Sequence, residues 1–555
     1  MAALLELHDL GVTYRTAAGP VPAVRGVDLT LGAGDTLGVA GESGSGKSTV
    51  ALSVLRLLPR SATVTGRILL EGEDVRTMRW GRLRAVRWSS AAVVFQGAMH
   101  ALNPVRRVGE QIAEPLRLHA PPGTARAAMP DSRLRARVAD LLAAVGLPET
   151  RARAYPHELS GGQRQRVMIA MALACEPRLI LADEPTTALD VLVQAQVLNL
   201  LRGLVAERGI GLMLISHDLS VLAATCARVA VMYRGEVAEH GPAADVMRRP
   251  RHPHTRALAA AFPTVGDPES RYAPATATAL PPEPPGRGTR EEPAVLAARG
   301  LRVRFRDRAG GEVAAVDGVD LDLRRDEIVA LVGQSGSGKT TLARTLLALQ
   351  RPSAGSVLFR GDPVPRSGTA LRAYRRQVQL VLQDPAAALN PRHTVYEAVA
   401  EGPRIHRLPG DERSRVVAAL EAAELRPAAE FLSRLPHELS GGQRQRVVIA
   451  GALALEPSVL VADEPVASLD ASVRGEILAL LLRLRREIGL AALVITHDLG
   501  LAWNIADRVA VMYRGRLVEE GAVEKVLLDP QHEYTRELLA AAAVPGTGEP
   551  AERGV

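Results

Sequence analysis

Lysine is almost missing from this chain. Of 68 basic residues only three are lysine, at positions 47, 339 and 525, and arginine serves everywhere else. Cysteine is as scarce. Two residues, Cys175 and Cys226, exclude a disulfide framework, a cysteine zinc site and an iron–sulfur cluster. A reducing cytoplasm is the expected compartment. Aromatics make up 3% of the sequence, so the cores must be built of Leu, Val and Ala. No uncharged apolar run approaches the roughly 18 residues that a membrane span needs. The N-terminus, MAALLELHDL, carries acids at Glu6 and Asp9 and lacks a basic leader, so no signal peptide is expected. A formal charge of +7 over 555 residues is mild and reads as solvated arginine faces, not as a nucleic-acid surface.

The lysines that survive are informative. Lys47 closes GESGSGKST, made of Gly41, Glu42, Ser43, Gly44, Ser45, Gly46, Lys47, Ser48 and Thr49. Lys339 closes GQSGSGKTT, made of Gly333, Gln334, Ser335, Gly336, Ser337, Gly338, Lys339, Thr340 and Thr341. Both fit the phosphate-loop pattern. The first follows an apolar strand at 37–40 and precedes a helical stretch at 50–58, the context the motif requires. Glycines let successive N–H groups curl around a polyphosphate, and the following helix aims its positive end at the anion. Each lysine is expected on the β- and γ-phosphates of ATP, with Ser48 and Thr340 on Mg²⁺. A compact ammonium fits there where a planar guanidinium does not.

The chain is one module written twice. The loops start 292 residues apart, at Gly41 and Gly333. The strings ELSGGQRQRV (from Glu158 and Glu438), ADEP (from Ala182 and Ala462) and VMYRG (from Val231 and Val511) all recur at an interval of 280. Apolar strands alternating with helical patterns predict an α/β fold: two tandem P-loop NTPase domains, each with a mixed or parallel sheet core and a helical insert before LSGGQ. In the first module the opening LLELHDLGVTY alternates apolar and polar residues and reads as strands; further strands are expected at 66–70, 93–96, 179–182 and 211–215, and a helix at 133–145 ended by Gly146. The boundaries are a first ATP-binding domain at 1–262, a Pro-rich linker at 263–293, a second domain at 294–545 and a disordered tail at 546–555.

Further chemistry repeats with the loops. Leu179 to Glu184, LILADE, and Val459 to Glu464, VLVADE, are apolar strands ending in two acids. Asp183 and Asp463 are placed to hold Mg²⁺ through water, Glu184 and Glu464 to polarise the attacking water. Ser160, Gly161, Gly162 and Gln163, with their repeats Ser440, Gly441, Gly442 and Gln443, read as a second anion-binding edge with a hydroxyl and bare N–H groups at a helix start. One module has no use for two such edges. Two modules placed head to tail do, each ATP lying between one phosphate loop and the other module's LSGGQ.

With this set the chain resembles the ATP-binding cassette family over both modules. The resemblance implies that Gln96 and Gln383 contact Mg²⁺ and the attacking water. It further implies that His217 and His497 are switch histidines on the γ-phosphate, that Ala188 to Asp190 and Ser468 to Asp470 form loops crossing the dimer, and that Tyr14 and Phe305 stack on adenine. Both modules keep every motif, so two hydrolysis-competent sites are expected.

Local strings narrow the resemblance. FQGAMHALNP, LQDPAAALNP, YPHELSGGQRQRV, and the HPHTRAL and HEYTREL segments at His252 and His532 are similar to the dipeptide, oligopeptide and nickel import branch, including fused members similar to glutathione and microcin-type peptide importers. That implies an ATPase powering peptide uptake with two integral-membrane permeases and an extracytoplasmic solute-binding protein, without nucleic acid, on the cytoplasmic face of the inner membrane. An exporter ATPase with separate permeases and a non-transport, ribosome-associated tandem ATPase are the other readings; the short Pro-rich linker disfavours the latter. The second module reads DEPVASLDASVRGEIL, where the branch more often has SALD and a QAQ triplet.

Overall fold

The computed structural model describes residues 3–17, 19–97, 101–119, 130–187, 189–275, 280, 293–306, 311–467 and 469–542. Contacts divide the chain into two units, 1–259 with 543–555, and 260–542. The expected tail at 546–555 and residues 188 and 468 of the dimer-crossing loops lie outside the described residues.

The first unit has two sheets. A four-stranded antiparallel sheet runs in the order Gly19–Gly32, Ala3–Thr16, Ala62–Leu70 and Glu73–Asp74. A six-stranded sheet runs in the order Glu236–Pro242, Arg228–Tyr233, Thr36–Ala40, Gly211–Ile215, Leu179–Asp183 and Ala91–Val94. Its last five strands are parallel and only the edge hairpin is antiparallel. Leu179–Asp183 and Gly211–Ile215 are buried at every residue, as expected of parallel strands covered on both faces. The two sheets share one core of Leu, Val, Ile, Ala and Met, and among its fully buried members none is aromatic.

This topology positions the site. Parallel neighbours end on one edge, and ligands of open α/β sheets bind outside the carboxyl ends of the strands. The phosphate loop leaves Thr36–Ala40, His217 follows Gly211–Ile215, Asp183 ends Leu179–Asp183, and Gln96 lies two residues beyond Ala91–Val94. Four adjacent strands thus deliver all four groups to one rim.

The second unit repeats the plan. Its six-stranded sheet runs in the order Val378–Val381, Val459–Asp463, Ala491–Thr496, Ile328–Val332, Arg508–Tyr513 and Arg516–Ala522, beside an antiparallel sheet of Glu312–Leu323, Leu296–Arg306, Ala354–Phe359 and Asp362–Pro363. Each unit carries a helical part, with Val108–Leu118, Asp131–Ala144 and Gly161–Leu173 in the first and Val395–His406, Glu412–Ala422 and Gly441–Leu453 in the second. Among the described residues no helix is long and apolar enough to cross a membrane.

Three local outcomes differ from the sequence reading. The helix after the first loop spans Lys47–Val54, not 50–58. Gly46 adopts φ 103, so helical geometry starts at Lys47, and Arg56 at φ 51 with the bond from Leu57 N to Leu52 O closes it early, before Pro59. The strand expected at 93–96 is Ala91–Val94, which leaves Gln96 free of the ladder.

The third difference concerns the stretch read as linker. Its early residues pack on the helix Leu499–Ile505 of the second unit. Tyr272 donates from its hydroxyl to Asp507 at 2.9 Å and from its backbone N–H to Asn504 O at 2.8 Å. Trp503 Nε1 donates to Asp267 O at 2.8 Å, and the Arg271 guanidinium lies 3.7 Å from the centre of the Tyr272 ring. Proline and glycine dominate the composition of 263–293 and mask these few anchoring side chains.

Candidate functional site

In the first unit Lys47 Nζ donates to Gly41 O at 2.8 Å and to Glu42 O at 2.7 Å. The ammonium is thereby held over the mouth of its own loop, almost buried. Gly46 has no substitute. Its φ of 103 suits glycine, and a Cβ there would come within 2.5 Å of Ala23 O. The Ser45 hydroxyl is 5% exposed and its oxygen has no partner within the protein; Ser337 repeats this in the second unit. A buried hydroxyl without a partner is costly in both loops, and a ligand oxygen would satisfy it.

Ser48 Oγ donates to Asp183 Oδ1 at 3.1 Å. Burial raises the pKa of Asp183, against the lowering by the Ser48 bond. Glu184 sits just past the strand at φ 44, a left-handed conformation that a glutamate adopts only when its surroundings impose it. Its N–H donates to Ile215 O at 3.0 Å. Its carboxylate is gripped from three sides: Gln96 Nε2 at 2.8 Å, Thr187 Oγ1 at 2.9 Å and His217 Nδ1 at 3.2 Å. A carboxylate only accepts, so His217 carries its proton on Nδ1 and presents Nε2 outward. Burial pushes the Glu184 pKa up, but the His217 and Thr187 bonds with the nearby Lys47 hold it below its ordinary value.

The second unit rebuilds this group. Lys339 Nζ donates to Gly333 O at 2.6 Å and Gln334 O at 2.8 Å, and Thr340 Oγ1 to Asp463 Oδ2 at 3.4 Å. Glu464, at φ 46, accepts from Gln383 Nε2 at 2.9 Å and meets His497 Nδ1 at 3.0 Å. Burial raises Asp463; Glu464, also pushed up by burial, is held low by His497 and Lys339.

The other expected residues fall as follows. Tyr14 Oη lies 3.1 Å from Thr49 Oγ1 just after the first loop, its ring half-buried against the core. Phe305 is 43% exposed on the strand Leu296–Arg306. Ser160 and Ser440 cap the helices Gly161–Leu173 and Gly441–Leu453, each accepting from the N–H of the glutamine three residues on, whose side chain returns the bond. The N–H groups of Gln163 and Gln443 are thereby capped within their own helices. Gly162 and Gly442 are buried, and a Cβ would come within 2.3 Å and 2.1 Å of Val193 and Val473. Close packing holds these two glycines in place.

Two pairs of residues escaped sequence reasoning. Tyr233 and Tyr513 stack on His254 and Tyr534 with ring centres 4.3 and 4.2 Å apart. Glu239 and Glu519 accept the backbone N–H groups that open the HPHT and HEYT segments. Tyr233 and Tyr513 lie in the repeated VMYRG string, a signal available in the sequence.

Paired phosphate loops, each beside an acid-ended strand in a parallel sheet, define a tandem P-loop nucleoside triphosphatase. The family model described as ABC transporter matches residues 24–187 and 316–467, and the chain belongs to that family of ATPases, which bind ATP. A model described as oligopeptide/dipeptide transporter, C-terminal region, matches residues 238–288, which include HPHT. The chain is 43% identical to the glutathione import ATP-binding protein GsiA of Salmonella choleraesuis over 98% of its own length and 90% of that protein's. Its counterpart in Escherichia coli K12 is 42% identical over the same shares. Among solved structures, an archaeal ribosome recycling factor in complex with a ribosomal stalk protein aligns with TM-score 0.59 over 92% of this chain and 90% of its own, at 19% identity, a likeness of fold alone.

Proposed function

We propose that this chain hydrolyses ATP at two composite sites to drive uptake of peptides or a related small solute through two separate permeases, fed by an extracytoplasmic solute-binding protein. One observation carries the catalytic half: a half-buried glutamate at a strand end, pinned by one Gln and one His beside a phosphate loop, built twice from corresponding residues. Peptide uptake is supported by the C-terminal match and by the importer relatives.

In this reading Lys47 and Lys339 exchange their loop carbonyls for the β- and γ-phosphates. The N–H groups of the two loops take the remaining phosphate oxygens, the signature Ser160 and Ser440 of each module cover the other module's nucleotide, and Tyr14 and Phe305 pack on adenine. Glu184 and Glu464, ionised, orient the attacking water and accept its proton; Gln96, Gln383, His217 and His497 hold those carboxylates in place. Ser48 with Asp183, and Thr340 with Asp463, fit Mg²⁺: a hydroxyl and a buried carboxylate are hard oxygen donors. Among the described residues no group of three or more His, Cys, Asp or Glu could hold a metal ion, so the ion leans on phosphate and water. Bound there, Mg²⁺ would neutralise charge on the polyphosphate. Residues 102–104 and 389–391, both Leu-Asn-Pro, lie in turns after the two glutamines and shape the grooves that receive a permease helix, on the cytoplasmic face of the inner membrane.

Deleting the gene and following labelled di- to hexapeptides tests this function. Lost uptake, restored by the parent gene but not by one carrying Glu184→Gln and Glu464→Gln, is expected. Unchanged uptake with lost efflux of another solute would replace import by export.

A further inference from the structure

The HPHT and HEYT segments follow the two cores, and nothing in the hydrolytic scheme uses them. In each the pattern has a local logic. His532 Nδ1 accepts the N–H of Tyr534 at 3.1 Å and caps the helix Glu533–Ala542; His252 does the same for His254 at 3.2 Å. Thr535 and Thr255 are fully buried. The remaining position, Tyr534 or His254, reaches toward the phosphate loop.

Tyr534 lies on the strand-end Tyr513, and its hydroxyl accepts the N–H of Gln334 at 2.8 Å. That N–H belongs to the peptide between Gly333 and Gln334, whose carbonyl, Gly333 O, takes Lys339 Nζ at 2.6 Å. One peptide plane at the entrance of the loop is therefore held at both ends, by Tyr534 on its N–H and by Lys339 on its oxygen. Hydrogen bonds at the two ends of an amide polarise it in the same sense and strengthen each other. The peptide also lies at Gly333, φ 151, where the backbone has the most freedom to rotate. When Lys339 leaves for phosphate, the Tyr534 bond still fixes this plane.

We infer that Tyr534 is a positioning residue for the second phosphate loop: its hydroxyl fixes the Gly333–Gln334 peptide, and so the loop conformation that binds ATP. This rests on the reading of Gly333 to Thr341 as an ATP site. In the first unit His254 stacks on Tyr233 in the corresponding position, but its buried Nε2 has no hydrogen-bond partner, so the peptide brace belongs to the second loop. The C-terminal segment is thus a brace on the loop and not merely a surface helix.

The test uses the full chain carrying Lys47→Ala, so that binding of a fluorescent ATP analogue with Mg²⁺ reports the second loop. Adding Tyr534→Phe keeps the ring and removes only the hydroxyl. The expected result is about five- to tenfold weaker binding, the size of one lost hydrogen bond, with the thermal midpoint unchanged. In the chain with Lys47 intact and Glu184→Gln present, Tyr534→Phe should raise KM for ATP and leave kcat nearly as it was. Equal affinity of Tyr534→Phe and its parent, at equal midpoint, overturns the inference. If the parent itself binds no analogue, the second ATP site falls, and the inference with it.

Discussion

The two strand-end glutamates, Glu184 and Glu464, share a backbone conformation, a glutamine donor and a histidine partner, yet they are not held alike. Glu184 accepts a third bond, from Thr187 Oγ1 at 2.9 Å. The corresponding residue of the second module is Ala467, and Glu464 lacks that donor. Thr187 is one of the contributions that lower the Glu184 pKa, with no counterpart at Glu464. Two copies of one site can therefore keep every motif residue and still differ in how firmly the base stays ionised. That difference lies in a hydroxyl outside any motif.

A second contrast concerns how the same turn is made. After the helix Asp131–Ala144 the chain turns through Gly146 at φ 67; after Glu412–Ala422 it turns through Glu424 at φ 62. Glycine takes that conformation freely. Glutamate does not, and here its carboxylate is paired with Arg483 and, at 3.3 Å, with Arg446, all three side chains largely buried. Side-chain pairing offsets backbone strain in the second module, where the first needs none.

These comparisons can be broken or sharpened by measurement. The largest effect is expected from Glu184→Gln and Glu464→Gln. Each should lower steady-state ATP turnover on the order of a hundredfold or more, as loss of a general base does. If one of them leaves turnover near the parent value, the modules are not equivalent sites. Next comes Glu424→Ala. It leaves the largely buried Arg483 without its anion, while Arg446 keeps Glu476 at 2.7 Å, and should cost about 3 kcal/mol in denaturant unfolding of the second unit. Gly146→Ala, which forces a Cβ into the left-handed region 2.9 Å from Arg166 Nη1, should cost the first unit about 1–2 kcal/mol. Equal losses would mean that the turns are held in the same way.

The pH profile sharpens the glutamate comparison. A carboxyl held below its ordinary value stays charged as pH falls. Its stabilising contacts are complete above the unfolded value, about 4.3, and are lost as pH drops through the lower folded value. Asp183 and Asp463, by contrast, are raised by burial in both modules. With the second site silenced by Glu464→Gln, Thr187→Ala should move the acid limb of the remaining activity upward in pH, because a hydroxyl that favours the charged carboxylate is lost. No movement would mean that Gln96 and His217 alone set the charge of Glu184. The smallest effect is expected from Tyr14→Phe, at most a few-fold in ATP affinity, since the ring stays and only the bond to Thr49 is lost.

Much of this was legible in the chain itself. Loops, acid-ended strands, glutamines and histidines announce themselves because phosphate chemistry demands particular residues at short, fixed spacing. The interval of 280 aligns the later motifs of both modules without a gap. Burial of the parallel strands follows from uninterrupted apolar runs such as LILAD and GLMLI. Of the antiparallel sheet in the first unit, strands at 4–14 and 66–70 were legible but their pairing was not: Ala3–Thr16 pairs with Gly19–Gly32 and with Ala62–Leu70, and pairing of the latter kind leaves no local mark.

The amino-acid sequence by itself determined the family and the doubling of its motifs, because those depend on residue type and near-neighbour spacing. Only the tertiary structure decided what surrounds them. Tyr534 reaches a loop 200 positions away, and Tyr272 settles on Asp507 across 235. Thr187 is near Glu184 in the chain, but only the turn after the strand aims its hydroxyl at the carboxylate. Such contacts depend on where separate strands and helices end in space, and neither composition nor periodicity records that.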